Sequence, residues 1–150
     1  VDELILPSKY DNVITSACLE LFLKTAERDM KNESSIMTLI IPKRRENILL
    51  TDYIEKHFRE KISMKELKSV IPYTERHINR IFSDETGITP VDYVRMTRIY
   101  HAAVSLIAEN KSVVQTAFDC GYENLSVFYS DFSRFYSKSP KQFIKEMSQS

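Results

Sequence analysis

The chain has no tryptophan, and among its 150 residues only two are glycine, two cysteine and five proline. So few breakers, with few runs that alternate apolar and polar residues, exclude a strand-rich barrel or sandwich and predict a mostly helical protein. Cys18 and Cys120 are too few for a disulfide framework and lack metal-type spacing, which points to buried reduced thiols. No apolar run approaches the roughly 18 residues that a membrane span needs, and the opening VDELILPSKYD is acidic with no cleavage pattern. A cytoplasmic protein is expected, with no membrane partner. Net charge is absent too, since 21 Lys and Arg cancel 21 Asp and Glu. A contact with nucleic acid must then rest on where charges sit, not on their sum. There is no glycine-rich phosphate loop and no nucleophile beside a base, and His57, His77 and His101 lack paired metal spacing, so neither an enzyme nor a cofactor is expected. Val at position 1, where Met would stand, leads us to expect sequence upstream.

What is present is globular, at 43% hydrophobic residues. Residues 10 to 31 predict a long helix with apolar side chains on two sides, Ile14, Ala17, Cys18, Leu21 and Phe22 on one and Leu19, Leu23, Ala26 and Met30 on another. The stretch IMTLIIPKRREN then passes through Pro42 to the basic run Lys43, Arg44 and Arg45 and reads as a linker. From residue 47 onward seven short helices are predicted, opened by Thr51, Ser63, Thr74, Pro90, Ser112, Asn124 and Ser139 with Pro140. SMKE and SVVQ have the Ser-to-Glu/Gln spacing of a capping box.

These helices repeat. A shift of fifty lays Phe82 on Phe132, Thr89 on Ser139, Pro90 on Pro140, Tyr93 on Phe143 and Val94 on Ile144, and a shift of forty-nine lays Ser63 on Ser112 and Tyr73 on Tyr122. Two copies of one helical unit, bridged by the helix from 90 to 109, account for the pattern. Each copy is a capped helix, a turn, and a second helix with one apolar and one free polar face, the grammar of a helix-turn-helix. In TERHINRIFSDETGITP, residues 74 to 90, Ile78, Ile81 and Phe82 face a core, while Arg76, Asn79, Arg80 and Ser83 share the other side. Forked donors there suit bases, Arg to guanine and Asn to adenine, although a solvated surface face would read similarly. The matching face of the second copy is Ser126, Tyr129, Ser130 and Ser133, with Arg134 beside it.

At this point the chain resembles a known family. FSDETGITPVDYVRMTRIYHAA closing the first copy and TAFDCGYENLSVFYSDFSRFYSKSPKQFIK forming the second are similar to the DNA-binding domain of AraC/XylS-type transcriptional regulators. The likeness runs over about residues 47 to 148, and its most specific elements are Gly87-Ile88-Thr89-Pro90, Arg98, Ala117, Gly121-Tyr122, Phe128, Phe132 and Ser139-Pro140-Lys141. It implies an all-α fold of two helix-turn-helix subdomains, about 62–88 and 112–137, joined by the long helix 90–109, with an additional N-terminal helix.

The resemblance also implies a sequence-specific activator that binds double-stranded DNA in the bacterial nucleoid and recruits RNA polymerase. Arg76, Asn79, Arg80 and Ser83 from one recognition helix, and Asn124, Ser126, Tyr129, Ser130 and Arg134 from the other, would then meet DNA. The helix starts at Thr51, Ser63, Ser112 and Ser139, with Lys141, would meet phosphates. Residues 1–46 would be the remnant of a sensor or dimerisation domain, its apolar helix at 10–31 meeting that domain or a second copy in a homodimer. Four residues depart from the family pattern: Lys68 where a small alanine packs under the recognition helix, Pro72 where the turn has glycine, and Ser130 and Asp131 where basic residues are common. The competing class is a protein-interaction module that keeps this scaffold with little DNA affinity, in line with zero net charge.

Overall fold

A computed structural model of the chain describes residues 42–109 and 111–149. The helix expected over residues 10 to 31, and Cys18 with it, lie outside the described residues. Among the described residues are seven helices and no strand: α1 (Arg45–His57), α2 (Met64–Val70), α3 (Glu75–Thr86), α4 (Pro90–Ala108), α5 (Val113–Asp119), α6 (Leu125–Tyr136) and α7 (Pro140–Ser148).

The caps read from sequence are mostly those that form. Ser63, Thr74, Ser112, Asn124 and Ser139 each accept a hydrogen bond from a backbone N–H of the following turn, and Pro90 and Pro140 stand at helix starts. At Ser112 the reciprocal half of the box is missing, because Gln115 Nε2 donates to Asp119 Oδ1 at 2.8 Å instead. The first helix corrects the sequence reading. It begins at Arg45, inside the expected linker, and buries Asn47, Leu50, Thr51 and Ile54 at helical spacing. Thr51 is therefore mid-helix and only 8% exposed, with its Oγ1 donating to Ile48 O at 3.0 Å. It can neither open a helix nor offer a free N-terminus to a phosphate.

Arg44 supplies no side-chain cap of its own. Glu85, at the end of α3, does the work from across the unit. Its Oε1 accepts from Lys43 N at 2.7 Å and Arg44 N at 3.0 Å, and its Oε2 accepts from Asn47 Nδ2 at 2.6 Å. The fully buried Asn47 also donates from Nδ2 to Ile81 O at 2.9 Å, so the start of α1 is tied to the last turns of α3. These bonds to the charged form, that from Asn47 foremost, hold the Glu85 carboxyl below the usual carboxylate range.

The first core joins Leu50 and Ile54 of α1, Leu67 of α2 and Ile71 just after it, Ile78, Ile81 and Phe82 of α3, and Tyr93 and Val94 of α4. The second unit repeats the design with more rings. Phe82 meets Tyr93 edge to face at 5.5 Å and 77°, and fifty residues on Phe132 meets Phe143 at 5.5 Å and 77°. Both α3 and α6 end in a left-handed residue, Gly87 at φ 77 and Ser137 at φ 57. Between the units lies α4, which packs on α1 and α3 on one side and on α5, α6 and α7 on the other. Serving two cores explains why it buries residues around so much of its circumference, from Tyr93 and Thr97 to Ala103 and Leu106.

The two departures in the first unit each have a place in the fold. Lys68 is exposed, and neighbouring Leu67 fills the core beneath α3. Pro72 sits in an exposed turn that is closed by Tyr73 N donating to Ile71 O at 2.8 Å and has no positive φ. A proline suits such a turn, since its fixed φ is negative. The second unit needs glycine at the matching place, because Gly121 has φ 86 and a Cβ there would lie 2.7 Å from Arg59 O.

Candidate nucleic-acid interface

The amphipathic order of α3 puts Ile78, Ile81 and Phe82 into the core and leaves Arg76 and Arg80 exposed, with Asn79 half-buried between them. Arg80 Nη2 donates to His77 Nδ1 at 3.2 Å, and His77 leans on Tyr73, ring centroids 4.7 Å apart. The bond and the ring contact hold His77 beside Arg80, a pairing that the sequence does not show. Ser83 is turned away from that use. Its hydroxyl donates its proton to Ile88 O at 3.1 Å, closing the turn after α3.

In the second unit Phe128 and Phe132 anchor α6, and Ser126 and Ser130 are exposed on its outer side, with Tyr129 half-buried and edge-on to Phe128. Asn124 serves as the cap: its Oδ1 accepts from Ser126 N at 2.8 Å and Val127 N at 3.4 Å, which removes the acceptor that two-point adenine recognition requires. Val127, 47% exposed at the start of α6, was not singled out in the sequence. The fifty-residue shift that pairs it with His77 was the available signal. Arg134 is exposed but shares its charge with Asp92 at the start of α4, Nη1 to Oδ1 at 3.4 Å.

Asp131, one of the departures from the family pattern, is buried. It is 6% exposed and accepts from Tyr122 Oη at 3.0 Å. Burial, and then the nearby Asp131 charge, push the Tyr122 phenol well above its usual value. Cys120 is buried and unpaired, and burial pushes its thiol up to about 11, as an inert core thiol requires.

The expected phosphate sites separate on chemistry. At Ser63 the backbone N–H and the hydroxyl both approach Glu66 Oε2, so this helix start is already closed by an anion. Glu66 is held below the usual carboxylate range chiefly by Ser63. Ser139 has the neutral Gln142 in the same place, with Lys141 exposed beside it. Ser112 has no acidic residue in its first turn. Helix starts free of a built-in carboxylate keep their attraction for anions.

A family model described as a helix-turn-helix domain matches residues 69–146, just over half of the chain. An uncharacterised HTH-type transcriptional regulator of Staphylococcus aureus is 30% identical over 92 residues, which are 61% of this chain and 12% of that protein. The bifunctional transcriptional activator and DNA repair enzyme AdaA of Bacillus subtilis is 32% identical over 95 residues, covering 63% of this chain and 45% of that protein. The chain thus spans less than half the length of these relatives. Among solved structures, the DNA-binding domain of the global transcriptional factor AdpA, in complex with a target DNA, superposes with a TM-score of 0.64 at 20% identity, covering 69% of this chain and 93% of that one. On the repeated helix-turn-helix, its shared fold and the family match, the chain belongs to the AraC-type family of helix-turn-helix DNA-binding domains.

Proposed function

We propose that this chain is the DNA-reading part of a transcriptional activator, and that it sets α3 and α6 into successive major-groove segments on one face of the duplex. The observation that carries this is the pairing of two equivalent free helix faces with different chemistry, fifty residues apart. On α3, Arg76 and Arg80 suit guanine and Asn79 suits adenine. On α6, Ser126, Tyr129 and Ser130 offer hydroxyls, and Val127 offers an apolar contact to a thymine methyl. Ser112, Ser139, Lys141 and Arg134 supply phosphate contacts that fix the register. The fold shared with a DNA-bound domain and the activator named among the relatives support the reading. Recruitment of RNA polymerase, a place on the bacterial nucleoid and a homodimer through residues 10 to 31 belong to the same proposal, as does the absence of catalysis by the chain itself. Among the described residues no helix is long and apolar enough to cross a membrane.

Selection from random duplex DNA, followed by titration at several salt concentrations, tests it. The expected result is an enriched sequence bound at least about a thousandfold more tightly than scrambled DNA, with log K falling by about 0.9 per phosphate contact for each log unit of salt. No enrichment would favour the interaction-module reading that zero net charge suggests.

A further inference from the structure

The two units meet at one edge of backbone, the carbonyl end of α1. Arg98, in the middle of α4, donates from Nε to Phe58 O at 2.7 Å and from Nη2 to Glu60 O at 2.7 Å. A guanidinium is the side chain able to bridge two carbonyls with a planar fork, and its charge suits the negative end of a helix. The same edge receives the second unit. Gly121, in the turn between α5 and α6, lies so close that a Cβ would be 2.9 Å from Phe58 O and 2.7 Å from Arg59 O. Arg98 then reaches on, its guanidinium carbon 5.8 Å from the centroid of the Tyr122 ring. Tyr122 packs edge-on to Phe128 at 5.2 Å and donates to Asp131, so the chain of contacts ends inside α6.

A shared helix fixes how far apart two units stand, and packing on α4 gives each a rotation about its axis; contacts that tie the units to each other off that axis hold the rotation in place. The contacts of Arg98 and Gly121 at the end of α1 are of that kind. We infer that Arg98 is a positioning residue that locks the first and second helix-turn-helix units into one rotational setting and so fixes the spacing between the two DNA segments the protein accepts. The inference rests on the proposed two-segment reading of DNA.

The 150-residue chain and its Arg98→Met variant test this. Methionine keeps an apolar stem and loses both hydrogen bonds. On the selected sequence, one base pair inserted between the two contacted segments turns one against the other by about 35°. Wild-type affinity is expected to fall more than about tenfold, and the variant's by less than about threefold, with Arg98→Lys in between. A folded Arg98→Met protein with the wild-type spacing profile would overturn the inference. Residual dipolar couplings of the free wild-type chain provide a measure that needs neither variant nor DNA. One alignment tensor is expected to fit the amides of both units, and two distinct tensors would overturn the clamp. If wild type enriched no DNA while one tensor fitted both units, the functional proposal would fail and the clamp would stand.

Discussion

Replacing Phe82 and Phe132 by alanine, one at a time, tests whether the two copies are held by equivalent or by different packing. Both rings are fully buried at matching positions of the repeat. Truncating such a residue costs about 3–5 kcal/mol through lost transfer energy and the cavity left behind. The two differ in their partners. Phe82 has Tyr93 as its ring neighbour, whereas Phe132 touches Phe128 at 5.7 Å, Tyr136 at 4.9 Å and Phe143 at 5.5 Å. Each ring pair contributes about 0.5–1.5 kcal/mol beyond its buried area. Two additional pairs make Phe132→Ala the more damaging by about 1–3 kcal/mol. Against a total stability of about 5–15 kcal/mol, that difference decides whether a variant is folded at all at low denaturant. Urea titration followed by far-ultraviolet circular dichroism, with the slope checked for constancy, measures both. Equal midpoint shifts, or a larger one for Phe82→Ala, would refute the argument that ring packing sets the stability of α6.

Other substitutions address the readout and the caps. Arg80→Ala is expected to weaken the selected site by about 1–3 kcal/mol and to relax preference at one base pair; an equal loss on random DNA, by fluorescence anisotropy, would rule out base reading. Ser137→Gly relieves a left-handed residue at φ 57, and the gain of about 0.5–1 kcal/mol left after glycine's entropic penalty should raise the midpoint in urea. Glu85→Gln probes the remote cap. The folded-state value of Glu85 is depressed, so its contribution is complete above the ordinary carboxylate range and is lost as pH falls through the depressed value. Wild type is expected to exceed Glu85→Gln in thermal stability at pH 7, the gap closing in acid; a gap that grows toward low pH would contradict the assignment.

What could be read from the chain was local. Ser63, Thr74, Asn124 and Ser139 announced their helices because a cap needs only neighbours within three residues. The equivalence of Phe82 with Phe132 and of Tyr93 with Phe143 followed from the fifty-residue period, and the two ring pairs share one geometry. What escaped was set by partners distant in sequence. The start of α1 was misplaced at Thr51 because its real cap, Glu85, lies forty-one residues beyond Arg44. Arg98 carried a family resemblance but no visible task, since the carbonyls it binds belong to Phe58 and Glu60. The burial of Asp131 escapes the sequence because nothing there brings Tyr122 to it. At the site, Arg76 and Arg80 were legible as exposed forks, while the capping duty of Asn124 and the inward bond of Ser83 depended on folded geometry.

On the proposed function, one chain reads two segments of DNA with two helices. Missing-base interference on the selected duplex measures this directly, because removing a base abolishes the contact to it whichever base it is. Two patches of interference centred about 10 base pairs apart on one face are expected, with Arg80→Ala losing interference in one patch only. A single patch, or two patches half a turn out of phase, would contradict the account.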